Sequence, residues 1–173
     1  MRARHGAAFT LAILALALGT SACGGSAAEQ TTTSAAVRTA EAHWRAGLLR
    51  WHRSMLGALN GISIVFSTDA GVAALQTSGT RGYRELTRDE HALATCSIVL
   101  GRLGPAPESF AAARNYAVKA CANFEKGEKL VEAAVREVRN STPLDPLQAA
   151  TGPLSTGESE MNAATVALTA GSQ

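Results

Sequence analysis

The stretch Cys96–Cys121, CSIVLGRLGPAPESFAAARNYAVKAC, limits the possible folds more than any other part of the chain. Leu86, Leu93, Cys96, Leu100 and Leu103 recur at helical steps, forming one apolar stripe on a helix that turns about 100° per residue. Gly104 follows as a C-cap, and Pro105 cannot continue the helix. Pro107 suits a first helical position, with Glu108 set favourably against the new helix's dipole. The next helix carries Phe110, Ala117, Cys121, Phe124, Val131, Val135 and Val138 on one side. The spacing therefore predicts an antiparallel hairpin of two helices, about 82–103 and 107–139.

Each arm of the hairpin has one cysteine on its inner face. Cys96 lies seven residues from the turn and Cys121 fourteen. At about 1.5 Å per helical residue the arms differ by about 10 Å, which an extended turn from Gly104 to Pro107 makes up at about 3.3 Å per residue. A Cys96–Cys121 disulfide is geometrically open without being forced. The other outcome is a pair of buried thiols acting as small hydrophobes.

A long helix is expected before the hairpin, at about 35–66. Val37, Ala40, Trp44, Leu48, Trp51, Met55, Leu59, Ile62, Val65 and Phe66 share one arc of it, with Arg38, Arg45, Arg53 and Asn60 opposite. Leu49, Leu56 and Ile64 fall outside that arc and form a second greasy ridge. Trp44 and Trp51 are seven apart, nearly superposed on the inner face. Such a pair is core at helical spacing, or else the lining of a ligand pocket. Ser67-Thr68-Asp69 is expected to cap a short helix ending near Gln76. Together these elements predict an all-α small antiparallel helical bundle over residues 35–140.

The amino terminus has a different character. Arg2 and Arg4 precede an apolar run from Ala7 to Leu18, too short to span a bilayer and laid out like a secretory signal. Thr20-Ser21-Ala22-Cys23 follows, then Gly24-Gly25-Ser26. Residues 1–26 resemble the bacterial lipoprotein signal, although Thr20 departs from the usual Leu three before the cysteine. The resemblance implies a signal peptide at 1–22, lipid on Cys23, and anchorage at the outer face of a bacterial membrane. Simple cleavage after Ala22, giving a secreted protein, is the alternative. An odd cysteine count in an exported chain fits one lipidated Cys23 and one disulfide. Residues 23–34 then read as the lipidated cysteine and a flexible tether.

Without Arg2 and Arg4, fourteen basic residues meet fourteen acidic ones, so the remaining chain is formally neutral and offers no basic patch for nucleic acid. Residues 141–173 are rich in Thr, Ser, Ala, Gly and Pro. They read as a low-complexity tail, disordered or holding a short helix at 156–168 that starts from a capping-box pattern at Ser155.

The usual catalytic and nucleotide-binding motifs are missing. His43 and His52 diverge around one helix, as do His91 and Cys96, which argues against zinc. One constellation is less bland. If Cys96 faces Cys121, Asp89 lies level with Glu128, both within apolar arcs. Two carboxylates so placed would share a proton, bind a cation or recruit an arginine; if this end of the hairpin splays, both reach water. Gly127 beside Glu128 would admit a close backbone.

The expected function is that of an exported envelope lipoprotein, a non-enzymatic binding or protein-interaction module at the membrane surface. Its partners would be the membrane, through Cys23, and an envelope protein. The alternative is a small-ligand or metal carrier using the bundle interior near Asp89 and Glu128, lined by Trp44 and Trp51. No catalytic residue, cofactor or dedicated metal site is expected.

Overall fold

The computed structural model describes residues 26–139 and 145–171, with side chains from Ser34 onward. The signal segment and Cys23 lie outside the described residues. Six α-helices follow in order: α1 Ser26–Ser67, α2 Asp69–Leu75, α3 Arg81–Ala94, α4 Cys96–Gly101, α5 Ala111–Arg139 and α6 Asp145–Ala170. A 3₁₀ turn, Glu108–Phe110, leads into α5. There is no strand among the described residues, and the bundle is all-α as expected.

The long first helix begins at Ser26, so it takes in residues that read as tether. Its apolar stripe is buried from Trp44 to Val65 except at Leu59, which is half-buried. Val37 is 49% exposed, and Ala40 is exposed as well, because α1 runs past the end of the bundle there. Leu49, Leu56 and Ile64 are exposed, as their place outside the main arc requires. Thr68 stops α1 and caps α2, its Oγ1 accepting the Gly71 N–H at 3.1 Å. The two helices meet at 97°.

The hairpin forms with one break in its first arm. Thr95 leaves the helical path between α3 and α4, and its hydroxyl donates back to the His91 carbonyl at 2.7 Å instead of capping α4. Glu125 of α5 supplies the missing acceptor, taking the Ser97 N–H at 3.2 Å. Gly104 turns with φ 74, a conformation glycine adopts without a Cβ clash. Cys96 and Cys121 are joined, with Cα atoms 5.2 Å apart and both side chains fully buried. The link closes a loop of 25 residues, which stabilises by about 3 kcal/mol through the unfolded chain's entropy. The same core holds Leu86, Leu93, Phe124 and Val131, each contributing about 1.5–3 kcal/mol by burial.

The carboxyl-terminal segment is the largest departure from expectation. It is neither a disordered tail nor a short helix at 156–168, but a 26-residue helix packed chiefly along α5. The core-facing residues are Ala150, Gly157, Met161, Ala164 and Leu168, mostly small but on a helical period. Pro153 sits inside α6 and has no N–H for the carbonyl of Ala149, whose residue is exposed to water.

Among the described residues no single helix is long and apolar enough to cross a membrane.

Candidate functional site

Two glycines set the position of α6. A Cβ on Gly157 would lie 2.5 Å from Phe124 Cε1 and 3.2 Å from the Ala120 carbonyl oxygen. One on Gly127 would lie 2.5 Å from Leu154 Cδ2. The close approach expected at Gly127 is therefore present, and the partner is α6. Drawn onto α5 in this way, α6 covers the flank of α1 only in part: Leu59 and Phe66 remain half-buried.

A groove of about 410 Å³ results. Its floor is Leu59, Ile62 and Phe66 of α1 with Leu147 and Leu154 of α6. Its rim is Ser63, Ser67, Thr151, Ser155 and Glu158. Further along the same pair of helices, His52 Nε2 and Asn162 Oδ1 lie 3.3 Å apart and mark where the two close up. Sequence reasoning missed this site because it placed no helix at Leu147. The signal was there, in the period of Ala150, Gly157, Met161, Ala164 and Leu168, hidden by small side chains.

The carboxylate pair expected in the hairpin seam is rearranged. Asp89 is 5% exposed, but it faces α1: a Cβ on Gly61 would lie 1.9 Å from its Oδ2. Its Oδ1 accepts from Arg88 Nε at 3.0 Å and Nη2 at 2.8 Å. The carboxylate that meets Glu128 is Glu90. Asp89 and Glu90 are about 100° apart on α3, one on each side of its apolar stripe. Because α3 packs against both α1 and α5, the first turns to one helix and the second to the other. Level along a hairpin fixes height, not azimuth, hence the error.

Glu90 Oε1 is buried without a hydrogen-bond partner. Burial first, then the charges of Glu128 and Glu132, push its carboxyl up to about 7. Glu128 is also raised, by burial and then Glu132, with Lys129 acting in the opposite sense. Glu132 is engaged by Arg136 at 3.5 Å. Among the described residues no group of three or more His, Cys, Asp or Glu is disposed to hold a metal ion.

Trp44 and Trp51 are each 2% exposed and belong to the core. Trp44 stacks on Phe110, ring centroids 5.8 Å apart, and Arg45 lies over the same phenyl ring at 5.5 Å. Neither tryptophan lines the groove. Their indole N–H groups have no acceptor among the described residues. The four residues expected to line one interior site thus fall in three places: the core, the α1–α3 contact and the α3–α5 seam. No family model matches the chain, and no curated protein or solved structure matches it either.

Proposed function

We propose that the protein is an exported cell-envelope lipoprotein, held at the outer face of a bacterial membrane by lipid on Cys23. Its bundle acts there as a non-enzymatic binding or interaction module. The buried Cys96–Cys121 link carries this reading. It suits an oxidising compartment and uses two of the three cysteines, leaving Cys23 in its lipobox-like setting. The amino-terminal part of α1 supports the same reading. From Ser34 to Ala40 every side chain is exposed, and Glu41, accepting from Ser109 Oγ at 2.7 Å, ties α1 to the hairpin, so the stretch before it suits a helical spacer.

Intact mass of the protein taken from its membrane tests the proposal. The expected result is cleavage after Ala22, a diacylglyceryl adduct on Cys23, and loss of membrane association in Cys23→Ser. A chain beginning at Cys23 without lipid, found in the medium, would replace the anchor with plain secretion.

The α1–α6 groove favours a second reading, a carrier of small ligands. It moves the ligand from the interior near Asp89 and Glu128 to the surface between α1 and α6.

A further inference from the structure

We propose that the groove between α1 and α6 holds a single alkyl chain of an uncharged, hydroxyl-bearing amphiphile, such as a monoacylglycerol. The inference rests on the binding-module reading and is independent of lipid at Cys23.

The shape of the groove limits the occupant first. Its volume, about 410 Å³, lies in the range of small-molecule sites, roughly 300–1,000 Å³. The lining spans Leu59 to Ser67 on α1 and Leu147 to Glu158 on α6. At about 1.5 Å per residue those edges are about 12 and 16 Å long. With helix axes roughly 8–10 Å apart, the open strip is on the order of 150 Å². A stable protein interface takes about 800 Å² from each partner, so neither a second copy nor another protein is held by this slot alone. A single flexible chain fits a narrow apolar trough of that length.

The rim selects the head group. Four hydroxyls and one carboxylate border the groove, and no lysine or arginine is among its lining residues. A fatty-acid carboxylate or a phosphate would find no cation there and would be repelled by Glu158. Ser67 and Thr151 donate to the carbonyls of Ile64 at 3.2 Å and Leu147 at 3.3 Å, which leaves their oxygens to accept, while a hydroxyl both donates and accepts at Ser63 and Ser155; together they match a polyol head.

Photolabelling of the protein in phospholipid nanodiscs tests this, with diazirine-tagged monopalmitoylglycerol as the probe. The expected labels concentrate in peptides covering residues 59–67 and 147–158. In Ser155→Trp, where an indole lies across the exposed rim, labelling falls about tenfold while the thermal melt is unchanged. Diazirine-tagged palmitate labels the wild type weakly, and Glu158→Lys raises that labelling several-fold. Labels spread along the exposed helices, or undiminished in Ser155→Trp, would overturn the site. Equal labelling by palmitate in the wild type would overturn the uncharged head, and a cross-link to another protein in place of the probe would overturn the ligand class. Intact mass of the same samples reads the lipid on Cys23, so a missing anchor and an empty groove are told apart.

Discussion

The two flanks of α6 are packed by different rules. Against α5 it fits side chain to glycine: Phe124 lies where a side chain on Gly157 would be, and Leu154 where one on Gly127 would be. Toward α1, Leu147 and the outer side of Leu154 leave a trough. Small residues bring backbones close and use up the helix's freedom to lean elsewhere. Close packing on one flank therefore produces the opening on the other, and the rigid seam holds the groove in shape.

The most damaging way to break this comparison is to force the seam apart. Gly157→Val sets a branched side chain against Phe124 and the Ala120 carbonyl, and the backbone oxygen cannot move aside. A loss of about 3 kcal/mol is expected. Hydrogen exchange should show α6 losing protection while α3 and α5 keep theirs; equal loss everywhere would mean that the seam is not a separate unit.

Removing the disulfide tests the opposite region. Cys96→Ala with Cys121→Ala should cost about 3 kcal/mol in urea unfolding, the loop entropy returned to the unfolded chain over a separation of 25 residues. Labelling of the groove should survive, because the link lies in the hairpin and not under α6.

Glu90 gives a smaller and pH-dependent effect. Its folded carboxyl titrates near 7, against 4.5 for an ordinary glutamate. Between those values the folded chain binds more protons than the unfolded one, so stability falls as pH rises from about 4.5 to about 7. Glu128 adds to the same slope. Glu90→Gln should flatten it and raise stability at pH 8 by about 1 kcal/mol, allowing for solvent screening of a half-exposed group. Urea titrations at pH 5 and pH 8 decide this, and a wild type equally stable at both would remove the effect.

The smallest change in stability is expected at Gly127. Alanine there gains about 1 kcal/mol of helix propensity and displaces the flexible tip of Leu154 at comparable cost. The melt should move little. Leu154 also floors the groove, so labelling by the alkyl probe should drop, which ties the seam to the trough directly.

Much of this was legible beforehand. Large residues on a strict helical period marked α1 and both arms of the hairpin, because burying Trp44, Leu48, Leu93 or Phe124 dominates any competing preference. Gly104 and Thr68 were equally readable, since their chemistry is local, while the cysteine pair was legible only as an open option that the structure realises. The seam carboxylates were half-read: the presence of two acids at that level was visible, but Glu90 took the place of Asp89.

By itself the sequence determined the helical class, the turn at Gly104–Pro107 and the exposed ridge of Leu49, Leu56 and Ile64, and it left the Cys96–Cys121 link open. Each follows from periodicity, capping or chain reach. Tertiary structure alone decided that 145–170 is a full helix, that Asp89 turns to Gly61 while Glu90 turns to Glu128, and that a groove opens beside Leu59 and Phe66. For the helix and the groove, small residues carry little local preference, and their effect comes from what another helix places against them. For the two acids, level along a hairpin fixes height, and only the packing of α3 between α1 and α5 fixes azimuth.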